Sequence, residues 1–377
     1  MKNKIQDFIV ITFISFLLLI ILEIILGLFF ENRKSRHQSN KVDRILRSNS
    51  YSEKDTPFIK QFYIDYHKLT YEWDPFTKYK LKSYQGKTIN INQQGNRKTI
   101  NKDSFITDST YTIYCFGGST MFGDGARDSM TIPSLISKEL NEKVPAKKFY
   151  VTNYGVPAYS RSQETALLIE ALKKEKKPDI VIFYDGFNEV LLKFPNYSKN
   201  VQEPIKKSYE AIKNSKKQLK LALKSSNINT TIKKIQSKLT PAAEVNYSTV
   251  LNDSILNEVI KNYRNNIKII DAIGNQYDFK VFNYLQPSVY TKKHKTEYEN
   301  IQFNKQKGLN IVFKKLYQQM ISDSILQNSN YFKDVSNCFN NNKENIFIDN
   351  CHISEYGNSI ISEIIANDII KSIDTIN

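Results

Sequence analysis

Cysteine is nearly missing from this sequence, which has three in 377 residues: Cys115, Cys338 and Cys351. No two of them have the Cys-x-x-Cys spacing of zinc or redox sites, and three residues do not make a disulfide framework. The chain must therefore fold around a hydrophobic core, for which its 40% hydrophobic and 12% aromatic residues are sufficient. Cys115 is expected to be a buried strand residue. Cys338 and Cys351 leave open a disulfide that an oxidising compartment would allow.

Acidic residues are also scarce, because 38 Asp and Glu stand against 54 Lys and Arg, a formal net charge of +16. A basic balance suits nucleic acid, an anionic membrane surface or an acidic polymer. The basic residues are not interleaved with stacking aromatic side chains, so nucleic acid is not expected as a partner. A simpler explanation is compositional, since Lys, Asn and Ile are abundant throughout, as in proteins from AT-rich genomes.

Charge is almost absent from the run Phe8 to Phe30, which is long enough to span a bilayer, for which about 20 apolar residues are needed. No Ala-x-Ala cleavage site lies near Gly27, which favours an uncleaved anchor over residues 1–34 rather than a long signal peptide. Glu23 interrupts the run, and a carboxylate there is costly in lipid. Lys and Arg are denser after the run than before it, which alone would keep the remaining chain in the cytoplasm. Long domains translocate largely regardless of charge, so we expect a single-pass membrane protein whose main domain is extracytoplasmic.

The residue pattern changes twice along the remaining chain. Residues 35–110 are expected to form a polar stalk and then a small β-rich segment, indicated by turn residues around Trp73 and Gly86. Residues 111–377 alternate strand and helix patterns, which predicts an α/β domain with a doubly wound parallel sheet. A Lys-rich helical insertion at about 190–245 interrupts the alternation, either as a lid or as a solvated basic face. Strands are predicted at 111–116, 149–153, 178–184 and 279–286, and helices at 162–174, 255–277, 300–322 and 354–373.

Three predicted strands end in residues that suit a binding site. Ser119 follows two glycines after the first strand, Gly155 follows the second, and Asn188 follows the third. In an open parallel sheet, ligands bind beyond the carboxyl ends of the strands. A Gly-Gly-Ser sequence alone is weak and is usually a plain turn, but three such ends in succession strengthen one another. A side-chain amide such as that of Asn188 can donate to a developing oxyanion.

A fourth segment carries an acid and a base. Asp349 precedes His352 by three residues, and the chain has only four histidines. A serine hydroxyl needs a base to become a good nucleophile, and histidine is the usual base near neutral pH. A carboxylate fixes the histidine tautomer and stabilises its protonated form. Cys351 lies between the two and is an alternative nucleophile, but its place beside the base argues against that role.

The order Ser119, Gly155, Asn188 and His352 resembles the four sequence blocks of the SGNH or GDSL hydrolases over roughly residues 111–370. The resemblance implies a flavodoxin-like three-layer α/β/α sandwich. It also implies that Ser119 is the nucleophile, with His352 as base and Asp349 behind it. The Ser119 N–H, the Gly155 N–H and the Asn188 amide would form the oxyanion hole. No cofactor and no metal are expected.

Two positions depart from the family pattern. Gly118 stands where the first block commonly has Asp, a variant that looks compatible with activity. Glu189 stands where the third block commonly has Asp after Asn188, which puts the local packing in doubt but leaves the amide donor in place.

The resemblance and the apolar run together suggest an esterase. We expect it to remove an acyl group, acetyl in the first place, from a cell-surface glycan or lipid-linked substrate through a Ser119 acyl-enzyme. Three alternatives stay open. One is acyl transfer to a sugar acceptor, and another is a lipase or phospholipid esterase whose Lys-rich insertion faces anionic headgroups. The third is a non-catalytic glycan-binding protein on the same fold.

Overall fold

The computed structural model describes residues 2–103, 106–174, 177–194, 203–212, 223–224, 226–239, 245–329 and 332–374. The chain divides into two units. One comprises Met1–Arg44 with Lys206–Glu244, and the other comprises Ile45–Ile205 with Val245–Asn377. The second unit contains the residues that resemble a hydrolase site.

The first unit is built on a long helix, α1 (Lys2–Arg47). Its stretch Ile5–Phe30 is 26 residues long, and it is long and apolar enough to cross a membrane, a property that anchors and export signals share. The helical insertion predicted at about 190–245 lies partly outside the described residues. Within the described residues, this region contains the helices α6 (Glu203–Ile212) and α7 (Asn227–Leu239).

The second unit is centred on a parallel sheet of five strands. They are β5 (Thr110–Gly117), β6 (Lys148–Asn153), β7 (Ile180–Asp185), β8 (Lys280–Leu285) and β9 (Phe332–Asp334), in the spatial order β6-β5-β7-β8-β9. All four pairings are parallel. If the five strands are renumbered 1 to 5 along the chain, starting with β5 as 1, their spatial order is 2-1-3-4-5, which is the flavodoxin-like arrangement. The predicted fold class is therefore confirmed.

Helices cover both faces of this sheet because alternate strand residues are apolar on each side. Ile113 and Cys115 of β5 point into a core with α4 (Ile132–Lys143) and α13 (Glu355–Asp374). Tyr114 and Phe116 point the other way, into a core with α5 (Arg161–Lys174) and α9 (Asp253–Tyr277). β7 is buried at every position, as expected for a central parallel strand.

Helix boundaries agree with the sequence patterns at most positions. The exception is the predicted helix at 300–322, which is two helices, α10 (Glu297–Asn304) and α11 (Leu309–Ser322). Gly308 separates them with a φ of 76°, a left-handed conformation that glycine adopts readily. Short helices α8 (Tyr247–Val250) and α12 (Ser324–Gln327) precede α9 and follow α11.

The segment predicted as a stalk begins within α1, which extends to Arg47, and continues as folded structure in the second unit. Helix α2 (Thr56–Lys68) buries Ile59, Phe62 and Tyr63, which lie on one face at helical spacing. The predicted β-rich segment follows as four short strands, β1 (Tyr71–Asp74), β2 (Lys78–Leu81), β3 (Tyr84–Gln85) and β4 (Asn90–Ile91), paired as two antiparallel hairpins. The aromatic residues of α2 are the sequence signal that distinguishes it from a solvated stalk.

Arg97 joins this N-terminal segment to the sheet. Its side chain is fully buried and pairs with Asp128 at 2.9 Å. Its remaining N–H groups donate to four backbone carbonyls, of Thr88, Phe122, Gly123 and Ala126. Three of these carbonyls, those of Phe122, Gly123 and Ala126, lie in the segment that follows Ser119. Arg97, which precedes the α/β part of the chain, therefore holds this segment in place. A buried guanidinium is tolerated because every donor direction is satisfied.

Candidate active site

Ser119 lies at the carboxyl end of β5, at the sharp turn into a short helix. β5 ends at Gly117, and helix α3 (Ser119–Phe122) begins two residues later. The carbonyl of Ser119 accepts hydrogen bonds from the N–H groups of Gly123 and Asp124, which close the turn behind it. The first N–H groups of a helix have no partner within the helix, so the Ser119 N–H has no acceptor inside α3.

Asp349 and His352 reach this hydroxyl from a loop that precedes α13. Asp349 Oδ1 accepts hydrogen bonds from the N–H groups of Cys351 and His352, at 3.0 and 2.9 Å, which fold the loop around the carboxylate. Asp349 Oδ2 lies 2.7 Å from His352 Nδ1. His352 Nε2 in turn lies 2.6 Å from Ser119 Oγ. The structure therefore brings together the three residues predicted from the sequence, in one hydrogen-bonded row.

Asp349 and His352 determine each other's protonation state. Burial alone would raise the pKa of Asp349, but His352 and the two backbone N–H groups hold it far below its usual range. Burial alone would lower the pKa of His352, but the Asp349 carboxylate, with a smaller contribution from Asp124, raises it well above its usual value. In the neutral imidazole, Nδ1 carries the proton that Asp349 accepts. Nε2 is then free to accept the proton of Ser119 Oγ.

Asn188 lies beside the serine, and its position explains the first departure from the family pattern. Its amide Nδ2 donates to the Tyr159 carbonyl at 2.8 Å and retains a second hydrogen. A Cβ atom at Gly118 would lie 2.2 Å from this nitrogen. Real Cβ contacts are never this short, so any side chain at position 118 would displace Asn188. Glycine at position 118 thus leaves the Asn188 amide in its observed place.

Gly155 is placed by a close approach of two backbones. A Cβ atom there would lie 2.3 Å from the Phe122 nitrogen, at the end of helix α3. Its N–H donates to Asn153 Oδ1 at 2.9 Å. The Asn153 side chain is fully buried, and its Nδ2 atom donates to the Met121 carbonyl at 3.2 Å. Asn153 thus ties the Gly155 turn to the helix after Ser119, a positioning contact that the sequence patterns did not predict. The single Gly155 hydrogen must leave Asn153 to serve as an oxyanion donor.

Glu189, the second departure, acts below the site. Its carboxylate accepts a hydrogen bond from the Arg161 N–H at 2.8 Å, so it caps the first turn of α5. The Arg161 side chain pairs with Asp185 at 2.7 Å, with both groups almost fully buried. Burial and the nearby Asp185 carboxylate raise the pKa of Glu189 to about 8. Glu189 has a longer side chain than the Asp common in the family, and with it connects the turn that carries Asn188 to the start of helix α5.

Asp124 is a second carboxylate at the histidine that the sequence patterns missed. Its Oδ2 atom lies 3.7 Å from His352 Nε2, and its side chain is almost fully buried. Its Oδ1 atom has no hydrogen-bond partner among the described residues. Burial raises the pKa of Tyr66 well above its usual value, and a hydrogen bond to Asp124 contributes to that shift. The only sequence signal was the position of Asp124, five residues after Ser119.

The cysteines of this region are free thiols in the structure, so Cys338 and Cys351 are not joined. Burial raises the pKa of Cys351, which keeps its thiol protonated. The donor atoms of Asp349, Cys351 and His352 lie within 4.8 Å of one another, a spacing that would suit a metal ion. Thiolate and free imidazole nitrogen are the forms that bind metals. Here the thiol is protonated and both imidazole nitrogens are hydrogen-bonded, so the group fits a proton relay better than a metal site.

A cavity of about 310 Å³ opens in front of Ser119. Its floor is polar, formed by the serine, the histidine and Asn188, and most of its remaining wall is apolar. The complete lining is Tyr66, Ser119, Pro157, Ala158, Phe187, Asn188, Phe194, Leu309, Asn350, Cys351 and His352. This volume is at the lower end of small-molecule sites, and an apolar wall around a few polar groups is their usual composition. Tyr66 comes from α2, so the N-terminal segment contributes directly to the site.

A flavodoxin-like parallel sheet between two helical layers, with a serine, a histidine and an aspartate hydrogen-bonded at its carboxyl edge, is an arrangement typical of serine hydrolases. The model of the GDSL-like lipase/acylhydrolase family matches residues 113–365, more than half of the chain. The chain belongs to this family and is a carboxylic-ester hydrolase. The family resemblance predicted from the sequence blocks is thus confirmed.

Solved structures of related esterases have low identity to this chain. The acetyl xylan esterase AlAXEase is 14% identical, over 68% of this chain and 99% of that one, with a TM-score of 0.35. A lipolytic protein of the G-D-S-L family from Veillonella parvula is 12% identical, over 67% and 94%, with a TM-score of 0.38. Axe2, an acetylxylan esterase from Geobacillus stearothermophilus, is 11% identical, over 69% and 94%, with a TM-score of 0.34. No curated protein matches the chain. The family assignment rests on the family match alone.

Restoring the family's usual residue at position 118 should harm this enzyme. In Gly118→Asp the new Cβ would displace Asn188, and we expect hydrolysis of 4-nitrophenyl acetate to fall by about 10²-fold, the usual loss for one oxyanion donor. Gly118→Ala should lose as much, because the clash begins at Cβ. Circular dichroism melting would show whether both variants remain folded. Full activity in a folded Gly118→Asp protein would contradict the assigned role of the glycine.

Proposed function

We propose that Ser119 attacks an ester carbonyl and carries the acyl group as a covalent intermediate. The observation that carries this proposal is the 2.6 Å contact between Ser119 Oγ and His352 Nε2, continued at 2.7 Å to Asp349. His352 takes the serine proton as the bond to the carbonyl carbon forms. It then returns this proton to the leaving alcohol, and water resolves the acyl-enzyme by the same route in reverse. Asp349 holds the tautomer and stabilises the imidazolium.

The negative charge of the tetrahedral intermediate needs donors on one side of Ser119. The Ser119 N–H and the second hydrogen of Asn188 Nδ2 are available for it without rearrangement. The Gly155 N–H becomes a third donor when it exchanges Asn153 for the oxyanion. Donors fixed before the reaction stabilise the transition state because they need no reorganisation as the charge develops.

The substrate we propose is a short O-acyl ester, acetyl in the first place, on a glycan or lipid-linked molecule at the cell surface. The cavity of about 310 Å³ suits a small acyl group together with part of the alcohol. The surface location follows from the apolar stretch Ile5–Phe30, which we propose is an uncleaved single-pass anchor with the esterase unit outside the cytoplasm. The apolar residues Phe187, Phe194 and Leu309 also suit a longer chain, which favours a lipid ester as the second candidate.

Ser119→Ala tests the nucleophile. We expect kcat/KM for 4-nitrophenyl acetate to fall by roughly 10⁴-fold or more, because removal of one member of such a triad removes most of the rate. Cys351→Ser is the matched control and should retain most of the activity, since we assign no chemistry to that thiol. Equal activity of wild type and Ser119→Ala would rule the proposal out. A panel of acetate, butyrate and octanoate esters should show its highest kcat/KM at acetate, and a maximum at octanoate would favour the lipid candidate.

The pH profile tests the charge of His352. The base must be neutral, and its pKa is raised, so activity should be lost as pH falls through a value above about 6.5, the usual histidine pKa. Asp124→Asn removes one of the charges that raise this pKa and should move the acid limb of kcat/KM to lower pH. The same raised pKa stabilises the fold at low pH, and this contribution is lost as pH rises through it. An acid limb at or below 6.5 in wild type, unchanged in Asp124→Asn, would contradict the assignment.

A further inference from the structure

Glu23 lies inside the apolar stretch of α1 and has a partner within the same unit of the chain. Its carboxylate accepts hydrogen bonds from the N–H groups of Asn227 and Ile228, the latter at 3.0 Å. The Asn227 side chain donates back to the Glu23 carbonyl at 3.2 Å. These N–H groups belong to the first turn of α7 and have no acceptor within that helix. A carboxylate placed in lipid and the unpaired N–H groups of a helix end are each unfavourable, and here they satisfy each other.

The contact extends along one stripe of α1. Glu23, Leu26, Gly27 and Phe30 are the half-buried positions of its last two apolar turns, and their spacing is that of a single helix face. A Cβ atom at Gly27 would lie 3.0 Å from Asn227 Nδ2, so the small residue permits the close approach. Seven residues further on, Lys234 Nζ lies 3.8 Å from the centre of the Phe30 ring. Seven residues separate Glu23 from Phe30 and Asn227 from Lys234, so the two helices run side by side in the same direction.

The uncovered side of α7 has two surfaces. Ile232, Ile235 and Leu239 are 48, 53 and 76% exposed, and their spacing places them on one face. Lys234 contacts α1 through Phe30, whereas Lys233 and Lys238 lie outside that contact, and the helix contains no acidic residue. An exposed apolar face combined with lysines is a pattern of helices that contact the interface of a bilayer.

We propose that α7 is a second membrane-contacting element. It packs on the end of the anchor through the Glu23 cap, with Ile232 and Ile235 against acyl chains and with Lys233 and Lys238 against anionic phosphate headgroups. The bilayer is the partner, rather than another protein, because α7 packs against the stretch proposed to cross the membrane and its charge complements anionic lipid. The inference rests on the anchor proposed above and is independent of the esterase chemistry. It explains why a carboxylate is retained in an otherwise apolar run.

Environment-sensitive labels test the lipid contact in the full-length chain. Ile232→Cys and Lys233→Cys, each in a Cys338→Ser background, would be labelled with a nitrobenzoxadiazole dye and reconstituted in phosphatidylglycerol-containing vesicles. The label at 232 should emit at shorter wavelength and be quenched by doxyl-labelled lipids at least twofold more than the label at 233. Vesicle flotation reports the anchor separately. A protein that floats but whose 232 label behaves as in water would overturn the proposal, whereas a protein that does not float would overturn the anchor on which it rests.

Glu23 variants test the cap. Glu23→Leu makes the anchor more apolar, so flotation should persist, but without an acceptor for the Asn227 and Ile228 N–H groups the quenching at 232 should fall by at least half. Glu23→Gln keeps one acceptor oxygen and should retain most of the quenching. A Gly27→Cys/Asn227→Cys pair should form a disulfide on oxidation in the membrane, and Glu23→Leu should weaken its formation. Unchanged quenching in Glu23→Leu and an unlinked cysteine pair would show that the two helices do not pack through this contact.

Discussion

The hydrogen bond between Ser119 Oγ and His352 Nε2 is the contact on which the site depends. It joins two residues 233 positions apart in the chain, so no local structure can form it. The parallel sheet makes it possible, since Ser119 follows the second strand of the spatial order while the acid–base loop returns to the same edge before the last helix. The Asp349 carboxylate, which accepts two N–H groups of its own loop, then gives the imidazole one orientation.

The N-terminal segment is part of this site, although it precedes the region matched by the family model. Arg97 holds three carbonyls of the loop after Ser119. Tyr79 donates from its hydroxyl to the Pro157 carbonyl at 3.0 Å, and Pro157 lines the cavity. Tyr66 lines the cavity itself. Residues outside the family match therefore shape the wall of the cavity in front of Ser119, the kind of region in which enzymes on one fold acquire different specificities.

The sequence was sufficient to place four of the five strands of the sheet along the chain and to select the residues at their ends, because these strands are apolar and their ends carry short motifs. It was not sufficient where contacts depend on distance in space. β9 has only three residues and no periodic pattern, α2 lies in the segment expected to be a stalk, and Asp124 carries no motif. Gly118 is visible in the sequence as a departure from the family pattern. Its close approach to the Asn188 amide, 2.2 Å from where a Cβ atom would lie, is a contact in space that no sequence pattern predicts. The catalytic roles of Ser119, Gly155, Asn188, Asp349 and His352 stay predictions.

The central claim is that Ser119 is a nucleophile activated by His352. Its most direct measurement is mass spectrometry of peptides after the full-length protein reacts with a fluorophosphonate, which modifies only activated serines. The account predicts one adduct, on Ser119, that is lost in His352→Ala and strongly reduced in Asp349→Asn. An unmodified Ser119 in folded protein, or an adduct that forms equally fast without His352, would contradict it.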